Sequence, residues 1–126
     1  MREMEEKKTN PKRPYDLEER TFLFAKETRD FVKKLPKTPG NFEDVRQLVR
    51  SSGSVGANYI EANESVSRKD FLLRIKTCRK EAKESAFWLR LLDIGGCLES
   101  ETIRAQLFSE AGELMNIFAA ILRKSA

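Results

Sequence analysis

The sequence contains no histidine. That absence excludes histidine-based general acid–base catalysis, Ser–His and Cys–His nucleophile pairs, and nearly all common zinc and non-haem iron sites. Cysteine is scarce: Cys78 and Cys97 are too few for a disulfide scaffold or an all-cysteine metal site. Glycine (6) and proline (4) both fall below average use, which speaks against collagen-like, low-complexity or turn-dense all-β chains. No run approaches the roughly 18 apolar residues of a membrane-spanning helix. The segment Met1–Pro14 is charged, unlike the apolar stretch of a signal peptide. A cytoplasmic, cofactor-free, non-enzymatic protein that does not enter membranes is the expectation.

What is present is charge on a substantial apolar background. Of 126 residues, 40% are hydrophobic and 35% charged, which suits one domain with a true core and is not the composition of a disordered chain. The net charge of +4 is unevenly spread. Residues 46–83 carry nine basic and four acidic side chains, whereas residues 84–126 carry four and six. A basic block in the middle third points to an anionic partner more than a uniform excess would.

Residues 1–14 hold Pro11 and Pro14 and no periodicity, so they read as a mobile arm, and residues 15–126 as the folded domain. A first helix opens at Asp16, with Glu19 as a capping-box partner, and runs to Leu35, where Pro36 stops it. Asn41 is the expected N-cap of a second helix with an apolar face of Phe42, Val45, Leu48, Val49, Val55, Tyr59 and Ile60. Its middle, from Ser51 to Ala57, is built of small residues including Gly53 and Gly56. Each glycine costs about 1 kcal/mol in a helix, so close approach of a neighbour is expected there. A third helix spans Ser67 to Ile94, stopped by Gly95-Gly96. Its seam of Phe71, Ile75, Cys78, Ala82, Ser85, Leu89 and Leu92 steps by fours and threes. A fourth runs from about Ser100 to Lys124, with Ile103, Leu107, Ala111, Leu114, Phe118 and Ile121 inward. With no strand alternation, the expected fold is all-α, an antiparallel up-down four-helix bundle.

On the third helix Lys69, Lys76, Lys80 and Lys83 cluster opposite the seam, with Arg79 and Arg90 beside them, and the second helix adds Arg46 and Arg50. Lysines that merely wet a helix explain this pattern without a ligand. The functional alternative is a surface that neutralises RNA or DNA phosphates without reading bases, since no helix-turn-helix, zinc-finger or ribonucleoprotein motif accompanies it. Further along, Phe87, Trp88 and Leu91, with Ile117 and Phe118 on the fourth helix, make both helices apolar nearly all round. These five residues are the expected contacts of a homo-oligomer.

The polar stripe Gln47, Ser51, Ser54, Asn58, Glu61 and Ser65 crosses an otherwise small and apolar helix. If enclosed, Asn58 and Glu61 form a buried polar network. Glu64 is the second carboxylate within a turn, but no histidine or glycine-rich phosphate loop supports catalysis. Cys78 reads as a small core residue, and Cys97 as an accessible thiol in a turn.

The run Gln47-Leu48-Val49-Arg50-Ser51-Ser52-Gly53-Ser54-Val55-Gly56-Ala57-Asn58-Tyr59-Ile60-Glu61-Ala62 resembles the second-helix signature of the bacterial four helix bundle proteins encoded in 23S ribosomal RNA intervening sequences. Ser67-Arg68-Lys69-Asp70-Phe71, Glu81-Ala82-Lys83-Glu84-Ser85 and Trp88-Leu89 resemble its continuation. The commonest pattern has a proline and then a glycine around the signature, where Gly56 and Asn63 stand here. The resemblance implies a homopentameric barrel. It also implies kinship with the accessory variability protein of diversity-generating retroelements, a basic barrel associated with nucleic acid and a reverse transcriptase. It supplies no catalytic residues. The expected function is therefore sequence-independent RNA or DNA binding by a homo-oligomer, with a reverse transcriptase as a further partner. The competing class is a protein–protein adaptor whose basic ridge meets an acidic protein.

Overall fold

The computed structural model describes residues 16–125, so the arm assigned to residues 1–14 lies outside the described part. Four helices follow one another: α1 (Leu17–Val32), α2 (Pro39–Asn63), α3 (Arg68–Leu91) and α4 (Leu98–Ser125), with no strand among the described residues. Each packs on its chain neighbours, and α1 closes the ring against α4. Cross-helix contacts give the directions. Glu18 meets Asn63 while Arg29 meets Val49, and Arg74 meets Asn58 while Arg50 meets Glu84. Successive helices are thus antiparallel, as short connections between neighbours require.

The periodic stripes become the core. On α3 the whole seam from Ile75 to Leu92 is buried and Phe71 partly so. On α4 Leu107, Ala111, Leu114 and Phe118 are buried, with Ile103 and Ile121 packed against them. α1 contributes Thr21, Phe24, Thr28 and Phe31, and Leu35 joins from just beyond the helix. Each large apolar side chain so buried is worth about 1.5–3 kcal/mol. Two expected members of the α2 face stay outside: Phe42 is 72% exposed and Ile60 50%. Both sit about 140° round the helix from buried Val55.

The small middle of α2 admits close neighbours on two sides. A Cβ added at Gly56 would lie 3.0 Å from the Thr21 hydroxyl oxygen and 3.3 Å from its Cβ, so α1 rests directly on this backbone. On the opposite flank Ser51 and Ser85 share a hydrogen bond of 2.8 Å, and the Cys78 thiol donates to the Val55 carbonyl at 3.4 Å. α1 is held at its other edge by Arg20. Its guanidinium donates twice to Glu110, at 2.7 and 2.9 Å, and once to Glu113 at 2.7 Å.

Three helix ends differ from the sequence expectation. α1 stops at Val32 rather than Leu35, because Pro36 has no N–H to offer the Val32 carbonyl. Lys34 and Leu35 instead donate three residues back, to Phe31 and Val32. At the start of α1 the Asp16 carboxylate accepts from the Glu18 N–H. α2 begins at Pro39, with Thr38 as N-cap accepting from the Asn41 N–H, since proline suits the first helical position. α3 ends at Leu91, not Ile94. Leu92 turns extended (φ −61°, ψ 142°) and carries its side chain into the core.

Asn41, expected as a cap, is instead a buried bridge between two loops. Its amide nitrogen donates to the Pro36 carbonyl (3.0 Å) and the Asp93 carbonyl (2.8 Å), and its amide oxygen accepts from the Asp93 N–H (2.9 Å). Asp93 thereby satisfies both backbone groups outside a helix, which is why α3 stops before it. Beside it Gly95 adopts φ +69° and lies so near Pro36 that an added Cβ would sit 2.8 Å from the proline ring. Arg104 donates to the Leu92 carbonyl at 2.6 Å, capping α3 from α4.

Two outcomes follow from this packing. Asn41→Leu should lower stability in urea unfolding by about 1–3 kcal/mol, because three part-buried backbone groups lose their partner; a loss under about 0.5 kcal/mol would disprove the bridge. Gly56→Ala should destabilise by about 1–3 kcal/mol through the Thr21 contact. Gly53→Ala, which meets only the flexible Arg29 guanidinium at 3.3 Å, should be neutral or stabilise by up to about 1 kcal/mol.

Candidate nucleic-acid interface

The outward face of α3 follows from its inward one. Because the seam claims one side of the helix, Lys69, Lys76, Arg79, Lys80 and Lys83 are left pointing to solvent, and all five are exposed. At about 100° per residue, Lys69, Leu73, Lys76, Lys80, Lys83, Phe87 and Leu91 form one continuous row along the helix. Leu73, Phe87 and Leu91 are 60%, 53% and 54% exposed, so the row is basic with apolar members in line with the lysines. Leu73 had no role in the sequence pattern, since a lone leucine on a charged face carries no periodic signal. Ile94, expected as the last residue of the third helix, lies beyond it and packs against the core.

Salt bridges divide the basic residues into two classes. Among the described residues none joins Lys69, Lys76, Arg79, Lys80 or Lys83 to a carboxylate. The two arginines expected to extend the ridge from α2 are engaged. Arg46 pairs with Glu43 at 2.9 Å, and Arg50 reaches across to Glu84 at 2.5 Å and Glu81 at 3.4 Å. Glu81 and Glu84 share one flank of α3 and Arg50 stands on α2, and only the packing of the two helices brings them together.

Glu84 is also the anchor of the aromatic pair. The Trp88 indole N–H donates to Glu84 at 3.0 Å, and the Phe87 ring stands edge-on to Trp88 with centroids 4.9 Å apart. The Trp88 N–H, and after it Arg50, hold the Glu84 carboxyl below the usual carboxylate range. Arg50, Glu84, Trp88 and Phe87 thus form a connected chain from α2 to the outer face of α3.

The five residues expected to contact another copy separate on inspection. Phe87 and Leu91 are exposed, whereas Trp88 and Ile117 are half-buried against their own core. Phe118 is fully buried and stacks at a tilt against Tyr59, so it is a core residue and not an interface one. α4 is apolar at Phe118 because two neighbouring helices enclose it. The buried pair of Asn58 and Glu61 is likewise revised. Asn58 is half-buried, donating to the Ser54 carbonyl at 2.9 Å and accepting from Arg74 at 3.0 Å, while Glu61 is exposed. The stripe is enclosed at Ser51, where α3 crosses closest, and opens toward the end of α2. Cys78 is buried, and burial pushes its thiol up to about 12. Cys97 is exposed, and the Ser100 N–H at the start of α4 draws its thiol below the usual value. Among the described residues no cluster of three or more His, Cys, Asp or Glu side chains could hold a metal ion, and no helix is long and apolar enough to cross a membrane.

A search of curated proteins finds no match. Among solved structures, a protein of unknown function from the S23 ribosomal protein family of Bacteroides thetaiotaomicron is similar, with a TM-score of 0.73 and 27% sequence identity. The likeness covers 85% of this chain and 98% of that one. The family model described as 23S rRNA-intervening sequence protein matches residues 15–120, which takes in α1, α2 and α3 whole and nearly all of α4. With that extent of agreement, from the small-residue signature of α2 to the aromatic end of α3, the chain belongs to the 23S rRNA-intervening sequence protein family.

Proposed function

We propose that this bundle is a non-enzymatic nucleic-acid-binding protein, in which the α3 row neutralises backbone phosphates of RNA or DNA without reading base sequence. The observation that carries this reading is the division of the cations. Arg20, Arg46, Arg50 and Arg104 are tied to carboxylates within the chain, while among the described residues Lys69, Lys76, Lys80 and Lys83, in one row on α3, form no salt bridge. Cations lined up along about four turns of helix offer repeated contacts to a linear polyanion. An acidic protein surface supplies fewer charges in line, which makes an adaptor role the weaker fit.

The second part of the reading is self-association, in the homopentamer that the family resemblance implies. An apolar groove of about 560 Å³ between α1 and α2, lined by Val32, Leu35, Pro36, Phe42 and Val45, leaves Phe42 largely exposed. Phe22 is exposed on the same pair of helices. A second copy covering such surface would also repeat the lysine row around the assembly, raising affinity through avidity.

Binding to duplex DNA across a salt series tests the first part. Four phosphate contacts should make log affinity fall with log salt at a slope of about −3.6, and changing Lys76, Lys80 and Lys83 together to glutamate should abolish binding. No binding at low salt would reduce the lysines to a wetted face. Light scattering tests the second part: a mass of 14.5 kDa at micromolar concentration would exclude the assembly.

A further inference from the structure

We propose that the α3 row prefers single-stranded over duplex nucleic acid, with an unpaired base stacked on Phe87 while Lys76, Lys80 and Lys83 hold the adjoining phosphates. This rests on the nucleic-acid reading above and adds the form of the ligand.

Three observations carry it. First, the aromatic ring is in line with the cations and not beside them: Lys83 precedes Phe87 by one turn, Lys80 and Lys76 follow the same line, and all are exposed. A single strand presents phosphates and an exposed base face along one line, which three lysines followed by one ring can meet. A duplex shows its phosphates outward and keeps base faces stacked inside, so it could use the lysines but not the ring. Second, Phe87 is half exposed although its ring is held in place. Trp88 stands against it at an interplanar angle of 78°, Trp88 is fixed by its hydrogen bond to Glu84, and Glu84 is fixed by Arg50. A ring oriented before the ligand arrives loses little freedom on stacking. Third, the charges around the ring disfavour two other occupants. A second copy meeting the row face to face would bring two sets of unpaired lysines together. An anionic bilayer accommodates helices whose apolar and basic residues are segregated, with the apolar face sunk about 5–10 Å. Here Lys76, Lys80 and Lys83 lie between Leu73 and Phe87, so sinking the apolar members would take the ammonium groups down with them.

The test uses the full chain and fluorescently labelled 20-nucleotide oligo(dT), oligo(U) and a 20-base-pair DNA duplex at several salt concentrations. The single strands should bind more tightly than the duplex at equal salt. Phe87→Ala and Phe87→Leu should each weaken single-strand binding by about 5- to 150-fold, the range of one lost base–aromatic stack. Both should leave the duplex affinity and the salt slope unchanged, while Phe87→Trp should retain the wild-type single-strand affinity. Changing Lys76, Lys80 and Lys83 to glutamine should reduce the single-strand salt slope by about 2, at about 0.7 per phosphate. Equal effects of Phe87→Ala on single strand and duplex, or none on either, would overturn the stacking assignment while leaving a phosphate-binding ridge intact. No binding to any of the three nucleic acids would overturn the functional reading and this inference together. Binding only to vesicles of 30% phosphatidylserine, lost in Phe87→Ala, would replace both with a membrane surface.

Discussion

One asparagine sets the frame on which the outer surface depends. Asn41 gives its amide to the backbone of Pro36 and of Asp93, joining the α1–α2 loop to the α3–α4 loop at one end of the bundle. A buried amide satisfied on both its nitrogen and its oxygen tolerates little displacement, because a shift of an ångström leaves polar groups unpaired in an apolar setting. The bridge therefore fixes where α3 stops and how α2 lies against it. Within that frame the seam from Ile75 to Leu89, gathered on one face by its own spacing, meets its neighbours and leaves the lysine row outside.

The distribution of charge follows from the same packing. Where helices touch, their flanks bring arginine and glutamate together: Arg20 with Glu110 and Glu113 between α1 and α4, Arg50 with Glu81 and Glu84 between α2 and α3. The more exposed of these pairs, Arg50 with Glu84 and Arg20 with Glu113, contribute at most about 1 kcal/mol each, so their larger effect is to decide which cations are spoken for. Among the described residues, α3 packs only against α2 and α4, and no salt bridge forms on its outer face. The surplus of positive charge visible in residues 46–83 is thereby concentrated on one line.

Close approach explains the rest of the architecture. Gly56 lets α1 lie on the backbone of α2 at Thr21, and Ser51 with Ser85 lets α3 do the same on the other side. α2 is thus the thin central helix of the bundle, its polar stripe serving contact at Ser51 and solvent at Glu61. A network enclosing Asn58 and Glu61 could not form, since α2 and α3 run on toward their shared turn where water reaches both.

By itself the sequence determined the helical class, four segments, the core stripes, the small-residue contact on α2 and the lysine ridge. All of these rest on local spacing, and the 3.6-residue period converts spacing into a face without any knowledge of neighbours. Only the tertiary structure decided that Asn41 is a bridge and not a cap, that α3 ends at Leu91, that Arg50 is engaged by Glu84, and that the Phe87 ring is braced through Trp88 and Glu84 by Arg50. Each of these depends on residues far apart in the chain, 34 positions for Arg50 and Glu84 and 52 for Asn41 and Asp93. A periodic pattern states which way a side chain points, but the partner it meets there is set by how separate helices pack.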